Sequence, residues 1–168
     1  MKVMTARFGE IEIGDDKIIE MPDGMIGFPD RRFIMLSPDN NGQFFWLQSA
    51  ENPELAFVVT DPATFVPGYE VNLSSEEYMK VRHAPESELI LLAVVTMAQD
   101  VMDITLNLQG PIVVNPEKMI AKQIVLEDGK YGTRHPLFAK PAKQAFPIKE
   151  EGHSALFHRK ITAICCNL

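Results

Sequence analysis

Turn-forming residues cut the first 138 residues into short pieces, most of which read as strands. Val3 to Phe8 alternates Val3, Thr5 and Arg7 against Met4, Ala6 and Phe8, the period of a half-buried strand. After Gly9, Glu10 to Ile13 alternates again. Gly14-Asp15-Asp16-Lys17 supplies a turn, and Lys17 to Met21 reads as the returning strand of a hairpin. Strands are expected at Phe33 to Leu36, Phe44 to Gln48 and Leu55 to Thr60, joined by Ser37 to Gly42 and Ser49 to Glu54. Leu89 to Met97 is apolar on both parities and should be buried on both faces. Ile104 to Leu108, Ile112 to Asn115 and Ile120 to Leu126 complete the set, with Asp128-Gly129 centring a final turn. Many short strands at regular spacing point to a mainly β fold, a small antiparallel barrel or sandwich-like single domain.

One helix has complete local signals. Ser74 or Ser75 can cap a segment reaching Arg82, with Glu76 and Glu77 in the first turn and Lys80 and Arg82 in the last. Ser74 and Glu77 stand at capping-box spacing. Pro22 to Asp30 holds two glycines and two prolines and reads as a loop. Its Met25, Ile26 and Phe28 either plug one end of the core or form a patch facing a partner. The chain divides into a β domain over 1–138 and a basic C-terminal extension over 139–168. In a helical reading of the extension, Leu156, Arg159, Lys160, Ala163 and Leu156, Phe157, Ile161, Ile164 fall on neighbouring stripes. Packing on the body, an interaction tail and disorder all remain open for it.

Charge narrows the function. The chain carries 16 basic and 23 acidic residues. Residues 1–138 hold 11 against 21, a net of −10, and residues 139–168 hold 5 against 2, a net of +3. An acidic body repels phosphate, so direct nucleic-acid binding is not expected, whereas a basic protein partner is favoured. The apolar run Leu89 to Ala98 falls far short of the ~20 residues of a membrane span. The N-terminus lacks an apolar signal core, so a cytoplasmic protein is expected, with no membrane partner. The two cysteines, Cys165 and Cys166, are adjacent and make no disulfide framework, which suits a reducing compartment. The ending Cys165-Cys166-Asn167-Leu168 is only superficially a prenylation box, since Asn167 is a poor aliphatic substitute.

Candidate chemistry is sparse. No phosphate-cradling glycine loop is present, and no cofactor is expected. His83, His135, His153 and His158 are isolated, and neither cysteine stands at metal-ligand spacing, so no metal is expected. Glu76–Glu77 and Glu86–Glu88 imitate a carboxylate dyad but read as solvated faces. A small hydrolase using His135 and a carboxylate is the enzymatic alternative, although the sequence supplies His135 with neither partner nor pocket.

Five segments in order resemble the FliW family of flagellar assembly factors. They are Met21-Pro22-Asp23-Gly24-Met25-Ile26-Gly27-Phe28; Phe45-Trp46-Leu47-Gln48-Ser49 with Asn52 to Pro62; Val94-Val95-Thr96 leading into Thr105 to Asn115; Ala121-Lys122-Gln123; and Tyr131 to Leu137. The family's usual Gly-Lys/Arg-Gln is Ala121-Lys122-Gln123 here, and Gln109-Gly110 replaces a small-residue pair before Pro111. The segments themselves read as fold markers: Asp61-Pro62 ends a strand, Asn107 and Asn115 bond a turn around Gly110-Pro111, and Trp46 anchors the core.

The resemblance implies a non-enzymatic protein on a small β fold. It implies two partners, newly made flagellin and the basic translational regulator CsrA, which exchange on the protein. Binding CsrA would relieve its repression of flagellin synthesis, and a −10 body docked there would repel nearby RNA. For the basic partner the candidates are Glu51, Glu54, Glu70, Glu76 and Glu77. For an apolar groove receiving a flagellin helix they are Met25, Ile26, Phe28 and Phe65. These residues are chosen by charge, loop position and apolarity, not by the family motif. A tail docked across that groove would regulate access, so that its deletion tightens flagellin binding. A generic acidic protein-interaction domain is the plainer alternative.

Overall fold

A computed structural model describes residues 1–38, 42–81, 88–138 and 151–167. His83, Glu86, the centre of the Ser37–Gly42 turn and the proline-bearing stretch from Lys140 to Pro147 therefore lie outside the described residues. The strands are β1 (Lys2–Thr5), β2 (Gly9–Glu12), β3 (Ile19–Glu20), β4 (Arg32–Ser37), β5 (Phe44–Ser49), β6 (Ala56–Thr60), β7 (Ile90–Thr96), β8 (Thr105–Asn115), β9 (Ile120–Gln123), β10 (His135–Pro136) and β11 (Cys165–Asn167). The helices are α1 (Pro62–Phe65), α2 (Ser75–Val81) and α3 (Glu151–Ile164).

Seven strands close a barrel in the order β8-β7-β6-β5-β4-β3-β9, with β9 returning to β8. All of these pairings are antiparallel except β3–β9, where Glu20 meets Ile120 in parallel. Closure pairs the strands that an open sandwich would leave at its edges, except where β4 runs on past β3. The interior is filled by Ile19, Met21, Met25, Phe33, Met35, Phe45, Leu47, Val59, Ile90, Leu92, Ile112 and Val114.

The outer face is also largely covered, which explains strands that are apolar on both parities. The β1–β2 hairpin lays Val3 and Ile13 over Ile34 and Leu36. The segment after β6 packs Tyr69, Phe65 and Val66 over Ala93, Val95, Leu106 and Leu108. There the Tyr69 hydroxyl donates to the Leu108 carbonyl at 2.7 Å, and burial raises its pKa. α2 places Val81 against Val113, Ile124 and Leu126, and the Asn115 amide donates to the Val81 carbonyl at 2.7 Å.

Several local readings hold. Asp61 ends β6 and caps α1, accepting from Ala63 N, with Pro62 at the first helical position where its missing N–H costs nothing. At α2 the capping box is reciprocal: Ser74 N and Oγ donate to Glu77 Oε2, and Glu77 N donates to Ser74 Oγ.

Other readings need correction. Glu10 to Ile13 does not pair with Lys17 to Met21. The hairpin is β1–β2, turned at Ala6 to Phe8, and β3 enters the barrel between β4 and β9. Gly110-Pro111 does not divide two strands, because β8 runs unbroken across it. Leu92 pairs with Ile112 while Val94 pairs with Asn107, so the extra residues of β8 form a bulge. Asn107 Oδ1 accepts from Gly110 N at 2.8 Å, and Gln123 Nε2 donates to Gly110 O at 3.0 Å. Proline is tolerated there because a bulge needs no ladder donor. Asn115 serves the next turn instead, accepting from Glu117 N and Lys118 N. Trp46 is not an interior anchor. It faces outward, edge-on to Phe8, with the Arg7 guanidinium 4.3 Å from its ring centre.

The two barrel mouths are closed by different parts of the chain. The Met21–Asp30 loop seals one, with Met25 inside and Phe28 edge-on to Phe57 at 5.1 Å. α3 covers the other with Phe157, Ile161 and Ile164, and β11 continues from it. The extension over 151–167 thus packs on the body.

Candidate partner-binding surface

The candidate surface lies around the Met21–Asp30 loop. Three anchors hold that loop to the barrel. Lys122 forms an ion pair and hydrogen bond with Asp23. Gln123 Oε1 accepts from Ile26 N at 3.0 Å while its Nε2 holds the β8 bulge. Ser49 Oγ donates to Asp30 Oδ1 at 2.6 Å and accepts from Glu51 N and Asn52 N, joining the loop to the β5–β6 turn.

The same surface includes α2. The charge of Lys80 acts on Asp23, and that of Lys122 acts on Glu76, so the helix lies beside the loop. Asp23 is held below the usual carboxylate range, chiefly by its hydrogen bond from Lys122. Glu76 is likewise lowered, first by its hydrogen bond from Lys80 at i+4. Within this alternation of charge stand two large exposed apolar side chains, Ile26 at 58% and Met79 at 68%.

The candidate residues are only partly brought together. Ile26, Phe28, Glu76 and Glu77 belong to this surface. Met25 does not: at 4% exposure it is barrel interior, because the turn at Gly24 directs it inward. Glu51 borders the surface but is committed to its own chain. Its Oε2 accepts from Arg31 N at 2.6 Å and Arg32 N at 3.2 Å, and these bonds lower its pKa. Glu54 is exposed in the β5–β6 turn and lines a cleft with Arg7, Trp46 and Pro53. Phe65 stands apart, beyond the far end of β6, stacked on Phe44 at 5.8 Å. Glu70 is elsewhere too, its N–H donating to the Tyr131 hydroxyl. Met79 was not a sequence candidate, although its place one turn after Glu76 on the charged face of α2 is a readable signal.

His135 is exposed on β10, opposite Leu106, and lines neither the Trp46 cleft nor a second cleft beneath α3. Among the described residues, no group of three or more His, Cys, Asp or Glu side chains is placed to hold a metal ion. Among them, too, no helix is long and apolar enough to cross a membrane. Exposed apolar side chains set within mixed charge are suited to gripping another protein.

Comparison with known proteins agrees with the sequence segments. The pattern of the FliW protein family matches residues 2–137. The flagellar assembly factor FliW of Geotalea uraniireducens (strain Rf4) is 54% identical over 144 residues, covering 86% of this chain and 88% of that one. The FliW of Geobacter sulfurreducens is 53% identical over 149 residues, covering 89% and 94%. A crystal structure of a flagellar assembly factor FliW superposes with a TM-score of 0.78 at 33% identity, covering 84% of this chain and all of that one. With the same barrel and the same segments in register, this chain belongs to the FliW family of flagellar assembly factors.

Proposed function

We propose that this flagellar assembly factor is a non-enzymatic cytoplasmic protein that binds flagellin as a chaperone and binds CsrA to relieve its repression of flagellin synthesis. Flagellin and CsrA exchange on it, so free flagellin withdraws the protein and restores repression. The observation that carries this reading is the acidic body, −10 over residues 1–138, on a family fold made for flagellar assembly. A basic RNA-binding dimer is attracted by that field, and RNA phosphates are repelled by it. The exposed Ile26 and Met79 add apolar area that a protein partner can bury.

The test is titration with flagellin and CsrA from the same organism, separately and in competition, at low and high salt. Both should bind, each excluding the other. The CsrA on-rate should fall roughly tenfold or more as salt rises, because screening shortens the reach of the field. Binding of flagellin alone would reduce the protein to a chaperone. Binding of neither would overturn the proposal.

A further inference from the structure

We propose that the barrel mouth beneath α3, together with the adjoining edge of β4, is a docking groove for a partner segment built as an amphipathic helix followed by a short extended strand. Residues 151–167 are its built-in occupant, which such a segment displaces.

The groove arises from unequal strand lengths. β3 is two residues long and pairs only with Arg32 and Phe33, whereas β4 continues to Ser37. The β4 edge at Met35, Leu36 and Ser37 therefore receives nothing from β3, and β11 pairs there in parallel: Cys165 with Met35, Cys166 with Leu36, Asn167 with Ser37. Beside it, α3 lowers Phe157, Ile161 and Ile164, at i, i+4 and i+7, among the side chains of the barrel interior. Phe157 and Phe45 meet at 6.1 Å between ring centres. Strand addition at a sheet edge and a helix laid in an apolar groove are two recurring modes of peptide recognition, and here they adjoin.

The occupant is separable from the fold it covers. Every strand of the closed barrel lies within residues 2–137, the part that matches the family. Among the described residues, side chains tie the extension to the body where Lys17 Nζ donates to Ala163 O at 2.6 Å and Lys160 pairs with Glu88 at 2.6 Å, beside the β11–β4 ladder. The Glu88 side chain is largely exposed, and exposed pairs contribute little. α3 also leaves the groove incompletely filled, because a cleft lined by Asp61, Pro62, Tyr69, Ile90, Phe157 and Lys160 remains beside it. Residues 151–167 carry Arg159 and Lys160 against Glu151, a net of +1 facing an acidic body, so the displacing segment should be basic or neutral. Being part of the same chain, the extension meets the groove at a higher effective concentration than a free segment does. It therefore acts as a threshold against weak or dilute partners.

The experiment uses the full chain with a protease site placed within residues 139–150, cut after folding. A fluorescent peptide of residues 151–168, kept reduced, is the probe. The nicked protein should exchange its own extension for the peptide, and the uncut protein should take up at least tenfold less at the same concentration. Flagellin, chosen as partner on the function proposed above, should then displace the peptide. A full-length Phe157→Glu, Ile161→Glu variant, its extension released without cutting, should bind flagellin at least tenfold more tightly than the wild type. No peptide uptake by the nicked protein, flagellin bound with the peptide retained, or unchanged flagellin affinity in the variant would each overturn the groove. Peptide uptake with no binding of flagellin or CsrA by any form would support the groove and instead overturn the proposed function.

Discussion

Gly24 is the position at which the sealed mouth is most exposed to a single substitution. Its φ is +69°, and a Cβ built there would lie 2.7 Å from the Phe28 carbonyl oxygen and 3.1 Å from that of Asp30. Gly27, three residues on, also has a positive φ, +88°, but a Cβ there meets nothing within 4 Å. The pair separates strain from collision. Left-handed backbone costs a non-glycine residue roughly 1–2 kcal/mol, offset by about 0.4–1 kcal/mol from the reduced freedom of the unfolded chain. Gly27→Ala should therefore cost about 1 kcal/mol or less. Gly24→Ala must also push back the Phe28 carbonyl, and Phe28 is held edge-on to Phe57 while Asp30 is held by Ser49. Overpacking of this kind adds about 1–3 kcal/mol, for a total of about 2–4. Urea unfolding followed by circular dichroism, with comparable slopes for both variants, measures the difference. A gap between the two variants below about 0.5 kcal/mol would show that the loop yields freely, and would refute the claim that it is a fitted plug.

Four further outcomes follow from the same contacts. Gln48 is buried, with Nε2 within 3.0–3.3 Å of the carbonyls of Ser49, Asn52, Pro53 and Leu55. Gln48→Leu should cost about 1–2 kcal/mol by urea unfolding and speed amide exchange across the β5–β6 turn. Ser74→Ala should remove both arms of the capping box, costing about 1 kcal/mol and fraying α2 in hydrogen exchange. Asp23 and Glu51 have folded pKa values below their ordinary 3.8 and 4.5, so their contribution is full above those values and is lost as pH falls through the lower folded ones. Asp23→Asn should flatten the acid limb of the stability–pH curve, and less so at high salt, since Asp23 is exposed. Burial pushes the Cys165 thiol up to about 12, and Cys166 is raised as well, so a thiol reagent at neutral pH should react slowly with the wild type. It should react much faster with the Phe157→Glu, Ile161→Glu variant, and equal rates would contradict the buried placement of β11.

What was legible in the sequence was what neighbouring residues decide. The α2 capping box needs only Ser74 and Glu77, and the end of β6 needs only Asp61 and Pro62, so both could be read directly. The both-sided apolarity of Leu89 to Met97 foretold a strand covered on two faces. The errors were decided by distant residues. Gly110-Pro111 has the composition of a turn, and it is Gln123, together with Gly132 accepting from Leu108 N and Gln109 N, that keeps β8 continuous across it. β3 is too short to announce which strand it pairs with. β11 has no pattern of its own, because its pairing is set by the bare edge of β4. Met25 and Ile26 are adjacent apolar residues, and only the turn through Gly24 sends the first inward and leaves the second exposed.

The residues by which this sequence resembles the family are largely bonded within its own fold. Gln123 uses both ends of its amide internally, on Gly110 and on Ile26 N. Asn107 and Ser49 are spent on the bulge and on the β5–β6 turn, and Lys122 on Asp23. Together these groups fix the loop that leaves Ile26 exposed. A motif of this kind specifies a scaffold, while partner choice rests with side chains that no fold constraint holds in place.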